Sequence, residues 1–353
     1  MPKPPKTPGP NQTGQEETQQ ARISRFRREP ARVPDKRITP RMVDIFLSVA
    51  RYRFLTTDLL ARLHRLPPAT LTRDLRYLFH KGYLTDRSLY GEGRSVFNAP
   101  VVHMVSPQNR QDFTRAVARQ GAPDLLARLD AGLAEIPSAK QTYSPFFLTH
   151  ELGVSRFFVS FEEAIQQTGL TTLFWERLSG VPLTDSQRGS IAIRPDGFFG
   201  LRNAEGLNAF FFLEYDRSTR VHAGPIERKM LGYKTFAESG QWEDVLDGRK
   251  ARYGFTVNRP RMGFRVLFVT DGELRRDFLL RCALKVKGYK VFHIALETDL
   301  TPERFFAPVW LRGKEFSPVA EELAGLPKTA SARERAAVIR EGIARMPRVS
   351  LVD

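Results

Sequence analysis

The spacing of apolar residues changes along this chain of 353 residues, from a helical repeat near the N-terminus to strand-like runs further on. Between residues 38 and 82 the repeat predicts three short helices, within RMVDIFLSVARYR, DLLARLH and ATLTRDLRYLFHK. Pro67 and Pro68 cannot continue the second helix, and Gly82 suits the end of the third. GYLTDRSL and NAPVVHMVS, separated by the Gly-rich turn YGEGRS, predict a two-stranded ribbon. This order is typical of a winged helix-turn-helix domain, which we place at residues 38–107.

The remaining chain predicts a helical connector at residues 108–145 and an α/β domain at residues 146–312. Apolar residues at helical spacing open this second domain, and strand-like runs follow in TTLFWERL, SIAIRPDGFFGLR and LNAFFFLEYD. A helix within PIERKMLGYKTFAES, a loop near 240–260, a strand in GFRVLFVTD, a helix in ELRRDFLLRCALKVK and a strand in YKVFHIAL complete it. The fold class is therefore α+β, with a mixed sheet flanked by helices in the second domain. Residues 313–353 predict a C-terminal helical tail, either docked or free.

Composition favours a polyanionic partner in a reducing compartment. The formal net charge of +16 favours nucleic acid, although an Arg-rich composition also follows from a GC-rich genome. Residues 1–37, with nine basic and four acidic side chains, predict a disordered tail that either follows a phosphate backbone or is solvated. The single cysteine, Cys282, excludes an internal disulfide. No apolar run is long enough for a membrane span, and the N-terminus lacks a signal peptide, so we expect a cytoplasmic protein.

The third helix carries the residue types that read double-stranded DNA. If its leucines and Phe79 face the core, polar and basic residues point outward and can contact base edges or phosphates. These expected DNA contacts are Thr70, Thr72, Arg73, Arg76, Tyr77, His80 and Lys81, with Arg87 and Arg94 in the ribbon. The alternative is a protein-interaction module whose arginines merely solvate one face.

Carboxylates at the ends of two successive strand-like runs form a candidate catalytic site. Asp196 follows Arg194-Pro195, and Glu214 and Asp216 end the next run. Paired carboxylates can hold Mg²⁺, which activates water for attack on a phosphodiester, so we take these three as metal and catalytic candidates. Lys229, on the border of the following helix's apolar stripe, is the candidate lysine, and Glu151 is a further acid. The neighbouring His150 is interpreted as a buried, hydrogen-bonded histidine.

The chain resembles the replication-relaxation family of plasmids and other mobile elements. The resemblance rests on ordered short motifs after the helix-turn-helix: THELGVSRFF, FWERL, RPDGFF, FFLEYDRST, ERKMLGYKTF and VLFVTD. It implies a role in plasmid replication, relaxation or transfer. The second domain also resembles the PD-(D/E)xK nuclease fold, with Pro195-Asp196 as its first element and Glu214-x-Asp216 in place of the second. The lysine of that pattern is replaced here by Asp216.

This departure leaves the chemistry open. The second domain is either a Mg²⁺-dependent DNA endonuclease, with Lys229 substituting for the missing lysine, or a non-catalytic domain that binds DNA or recruits replication or transfer proteins. In a third interpretation the acids are structural, with Asp216 paired to Arg217 and Asp196 capping a turn. The alternative function is a transcriptional regulator whose second domain dimerises or recruits a partner. A homodimer is the expected assembly if paired DNA half-sites are read.

Overall fold

The structure, a computed structural model, describes residues 27–89, 100–136, 144–177, 181–185, 189–217, 223–257, 263–286 and 291–352. Its N-terminal part consists of α1 (Pro40–Tyr52), β1 (Leu55–Thr56), α2 (Thr57–His64), α3 (Pro68–His80), β2 (Thr85–Ser88), β3 (Val101–Met104), α4 (Pro107–Arg119) and α5 (Pro123–Ala134). Among the described residues, the three strands form a small antiparallel sheet in the order β1-β3-β2. The expected sequence of three helices and a two-stranded ribbon is therefore present, with β1 as an additional strand.

Local signals in the sequence fix the ends of these helices. The hydroxyl of Thr39 accepts a hydrogen bond from the amide of Met42 and caps α1, and Thr56 caps α2 in the same way. Helix α2 ends at Arg65, which adopts a left-handed conformation with φ of 52°. The apolar stripe of α1 is buried as the spacing predicted, because it packs against the other helices of this domain.

Helices α4 and α5, expected as a connector, pack directly on α1. The ring of Phe113 in α4 stacks on that of Phe46 in α1, with centroids 4.2 Å apart. Leu129 of α5 is fully buried in the same cluster. These two helices therefore complete the N-terminal core, and their polar appearance reflects the solvent-facing side of each helix.

The second part of the chain begins at α6 (Pro145–Ile165) and continues to the C-terminus. Its further elements are β4 (Thr171–Glu176), β5 (Val181–Asp185), β6 (Gly189–Ile193), β7 (Gly197–Arg202), β8 (Asn208–Tyr215), α7 (Ala223–Glu238), α8 (Gln241–Tyr253), β9 (Phe264–Thr270), α9 (Glu273–Lys285), β10 (Phe292–Leu296), β11 (Trp310–Arg312), α10 (Ser317–Gly325), α11 (Ala332–Arg345) and β12 (Arg348–Val349). In the described part of the chain, seven strands form one mixed sheet in the order β12-β11-β10-β9-β8-β7-β4. Only β8-β9 and β9-β10 are parallel pairs within it.

Helices cover both faces of this sheet because its central strands are apolar on both sides. Successive side chains of a strand point to opposite faces. In β8, Phe211 and Leu213 pack with α6, whereas Phe210 and Phe212 pack with α7, α8 and α9. The mixed sheet flanked by helices that the sequence predicted is thus confirmed.

Three local predictions were wrong. The run SIAIRPDGFFGLR is two strands in different sheets, since Pro195 and Asp196 interrupt it and β6 pairs with β5 in a separate hairpin. The loop expected near 240–260 contains α8, a polar helix that buries only Trp242 and Leu246. The C-terminal tail is docked: β12 adds a strand beside β11, and Ile343 of α11 is buried. The sheet therefore extends past the boundary expected at residue 312.

Candidate nucleic-acid interface and carboxylate site

Glu214 lies near the C-terminal end of β8 and is 2% exposed. The ammonium of Lys229 donates to its Oε2 at 2.5 Å, and the hydroxyl of Tyr233 donates to its Oε1 at 2.6 Å. Lys229 and Tyr233 are four residues apart in α7 and so share one helix face. Burial and the charge of Asp196 raise the pKa of Glu214 to about 7, against the opposing effects of Lys229 and Tyr233. Lys229 thus reaches the carboxylate from the border of its helix.

Asp196 stands directly before β7, opposite Glu214 in the antiparallel register that pairs Gly197 with Leu213. Its Oδ2 accepts a hydrogen bond from the amide of Tyr215 at 2.7 Å and lies 3.3 Å from Nε2 of His150. Burial works to raise the pKa of Asp196, but His150, Lys229 and the Tyr215 amide outweigh it and lower the pKa. Asp196 is therefore a carboxylate held between two strands and α6.

His150 is the residue of this cluster whose contribution the sequence understated. Burial alone would lower its pKa, but its hydrogen bonds to Asp196 and Glu151 and their charges raise the pKa from 6.5 to about 9. The imidazole is therefore charged at neutral pH. Glu151 is buried and lies 3.0 Å from Arg177 and 3.2 Å from Arg53. The adjacent His-Glu pair at the start of α6 was the available signal, because a charged histidine needs a nearby carboxylate.

Asp216 points to a different partner from the other two carboxylates. It pairs with Arg275 of α9 at 2.7 Å, and its neighbour Arg217 pairs with Asp271 at 3.0 Å. The interpretation that Asp216 pairs with Arg217 is therefore wrong. Where a nuclease of the PD-(D/E)xK pattern has a lysine, this chain has an acid that is neutralised by an arginine from another helix.

The carboxylates do not fit a resident divalent cation in this arrangement. Mg²⁺ needs several oxygen ligands arranged around one point. No three acidic, histidine or cysteine side chains within the described ranges are so grouped that they could hold a metal ion. Instead Glu214, Asp196 and Asp216 each have a basic partner, in Lys229, His150 and Arg275. The predicted metal set of Asp196, Glu214 and Asp216 is thus divided among three ion pairs.

Helix α3 presents a basic stripe to solvent. Thr72, Arg73 and Arg76 are exposed and Thr70 is half-buried. The hydroxyl of Thr72 donates to the carbonyl of Pro68 at 2.8 Å. In the part of the chain that the structure describes, neither Arg73 nor Arg76 has a carboxylate partner. Two adjacent guanidinium groups are therefore available on this face.

Three of the residues expected on the outer face of α3 are covered by the segment before α1. Tyr77 was predicted to point outward and is 5% exposed, with its hydroxyl donating to the carbonyl of Lys36. His80 accepts a hydrogen bond from the amide of Glu29, and Lys81 pairs with Asp35. The segment from residue 27 to 37 thus packs along α3, which the sequence could not show because it contains few apolar residues.

The two expected ribbon contacts have different outcomes. Arg87 is exposed on β2. Arg94 lies outside the described residues, as do residues 1–26 of the expected tail. Arg28 donates to the carbonyl of Leu84 at 3.0 Å, so the described end of that basic segment also contacts the start of the ribbon.

Comparison with known proteins identifies one family. A family model described as replication-relaxation matches residues 46–248, more than half of the chain. This span runs from α1 into α8 and includes both α3 and the carboxylate cluster. No curated protein and no solved structure was found to match the chain. Among the described helices, none is both long and apolar enough to cross a membrane.

Proposed function

Because the chain belongs to the replication-relaxation family, we propose that it binds double-stranded DNA of a plasmid or other mobile element during replication or relaxation. In this proposal α1, α2, α3 and the β2-β3 ribbon act as a winged helix, and α3 enters the major groove. The observation that carries it is the exposed pair Arg73 and Arg76, which has no carboxylate partner among the described residues. Arginine binds guanine edges and phosphates through two parallel hydrogen bonds.

The overall charge supports the same partner. A net charge of +16 attracts a polyanion over a longer range than any single contact, and it raises the rate of encounter with DNA. The exposed Thr72 and Arg87 extend the polar surface from α3 to the ribbon. Phosphate contacts from these residues would fix the orientation of the domain on the duplex.

The experiment compares Arg73→Ala, Arg76→Ala with a control of equal charge loss, Arg333→Ala, Arg340→Ala, in exposed positions of α11. Binding to a labelled duplex is measured by fluorescence anisotropy over a series of salt concentrations. We expect the α3 variant to bind several-fold more weakly, with a salt slope reduced by about 0.9 for each phosphate that it no longer neutralises. Equal weakening in both variants, or none in the α3 variant, would place the DNA contact elsewhere.

We propose further that the second domain does not cleave DNA but holds a DNA-bound or partner-bound arrangement. The pairing of each carboxylate with a basic side chain supports this, since a cation site would require Lys229 or His150 to give up its partner. Supercoiled plasmid incubated with the protein and Mg²⁺ or Mn²⁺ tests it. Intact plasmid under conditions of full binding is the expected result. Nicking that is lost in Asp196→Asn, Glu214→Gln would establish a metal-dependent nuclease instead.

The partner and assembly follow from the same proposal. Replication or transfer proteins are the expected partners of the second domain, and a homodimer would read two half-sites one helical turn apart. Footprinting on the element's own DNA separates this role from that of a transcriptional regulator. Protection at the replication or transfer origin is expected, whereas protection confined to a promoter would favour the regulator.

A further inference from the structure

A basic pocket lies at the edge of the large sheet, away from α3 and from the carboxylate cluster. Its volume is about 460 Å³, and residues of β9, β10, β11 and β12 line it. The strand register explains why basic residues meet here. His293 is opposite both Leu267 and Arg312, and residues opposite one another on neighbouring strands share a face. Arg265, two residues before Leu267, points to that face as well.

The charge of the pocket is only partly balanced. Its lining residues are Arg265, His293, Pro308, Arg312, Arg348, Val349 and Ser350, and none of them is acidic. Arg265 donates to the carbonyl of Leu351, and Arg348 donates to the carbonyl of Val309 at 3.3 Å. A carbonyl orients a guanidinium but leaves its full charge in place. These two arginines are therefore held at the pocket as oriented cations.

The third arginine has a counter-ion but also an unused donor. Arg312 pairs with Glu315 at 2.8 Å. Its Nε is buried and has no hydrogen-bond partner among the described residues. A buried N–H without an acceptor is costly, so a ligand oxygen at this point would be stabilising.

Two uncharged groups add directional contacts. Burial, with the charges of Arg265 and Arg312, lowers the pKa of His293 to about 4, so the imidazole is neutral at physiological pH. Its Nδ1 donates to the carbonyl of Val291, which leaves Nε2 as an acceptor. The hydroxyl of Ser350 accepts the amide of Val352, so its own proton can be donated. The pocket therefore combines three cations with an acceptor for a ligand hydroxyl and a neutral donor.

We propose that this pocket binds a phosphate group through Arg265, Arg312 and Arg348. A phosphate has enough oxygens to accept from several guanidinium groups at once, and arginine matches its geometry with paired donors. The volume exceeds that of a free ion, so the pocket also admits a phosphate that is part of a larger molecule. The two sources are free phosphate esters and the backbone of a bound nucleic acid. Phosphate binding here is independent of DNA contact by α3.

The experiment uses the full chain and inorganic phosphate as the probe. Calorimetric titration in chloride buffer of constant ionic strength compares the wild type with Arg312→Gln, Arg348→Gln. Arg333→Gln, Arg340→Gln is the control of equal charge loss. We expect the pocket variant to bind phosphate at least about tenfold more weakly, because each guanidinium that is replaced removes charge-assisted hydrogen bonds to the phosphate. Arg348→Gln alone, an exposed position, should weaken binding without affecting the fold.

A second measurement distinguishes the sources. If the ligand is a nucleic-acid backbone, the salt slope of duplex binding falls in the pocket variant by about 0.9 for each phosphate released. If it is a free phosphate ester, calorimetric binding disappears while the slope stays that of the wild type. The proposal is overturned if the wild type takes up no phosphate and the slope is unchanged. It is also overturned if the affinity of the control variant falls as much as that of the pocket variant.

Discussion

Replacement of His150 by glutamine tests the electrostatics of the cluster at the end of β8. The pKa of His150 is raised from 6.5 to about 9, because Asp196 and Glu151 outweigh the effect of burial. A histidine whose pKa is raised by folding stabilises the folded state fully below pH 6.5. That contribution is lost as the pH rises through about 9. The wild type should therefore lose stability across this interval, in addition to any loss from other groups.

The magnitude follows from the same shift. A difference of one in pKa corresponds to about 1.4 kcal/mol, so the rise at His150 corresponds to at most about 3 kcal/mol. Its side chain is 25% exposed, and solvent screening lowers this value further. Glutamine keeps a hydrogen-bond donor for Asp196 but does not titrate, so His150→Gln should remove this part of the pH dependence.

The assay is urea unfolding at a series of pH values, with His64→Gln as the matched control. The pKa of His64 is lowered by burial, so His64 is neutral above pH 6.5 in both folded and unfolded protein and contributes nothing in this interval. We expect the stability difference between the wild type and His150→Gln to shrink as the pH rises from 6.5 to about 9. A constant difference over that interval would refute the charged state of His150.

Three further substitutions test the packing, each measured by urea unfolding. Gly313→Ala should destabilise by about 1–3 kcal/mol, because the new Cβ would lie 2.4 Å from that of Ala283, whereas Gly325→Ala meets no atom within 4 Å and should have little effect. Phe113→Ala should destabilise the N-terminal domain by about 3–5 kcal/mol if α4 belongs to that core rather than to a linker. Tyr233→Phe should cost about 1.5–3 kcal/mol, since it removes a hydrogen bond to a fully buried carboxylate; a neutral result would show that the hydroxyl is not a significant partner.

The elements with a strong apolar repeat were predictable, and those without one were not. Helices α1 and α6 and strands β8 and β9 each bury a stripe or run that the sequence displays. Helix α8 was missed because only two of its residues reach the core and the rest are polar. The strand β12 was missed because two residues carry no periodic signal, and only the presence of β11 gives them a partner.

The candidate site shows the same limit. That Asp196 and Glu214 end successive strand-like runs was visible in the sequence, and so was the position of Lys229 on the border of an apolar stripe. The partners of His150 and Asp216 were not, because they come from elements distant in the chain. Asp216 meets Arg275 across 59 positions, and no local pattern indicates such a contact.

What the sequence determined by itself about this protein is its family, its order of helices and strands, and its positive charge. These depend on local spacing, on motif order and on composition, which need no knowledge of which elements meet. The tertiary structure alone decided which basic group neutralises each carboxylate, that the segment before α1 covers Tyr77, and that three arginines from separate strands share one pocket. Those features depend on contacts between residues far apart in the chain, which form only when the strands pair and the helices pack.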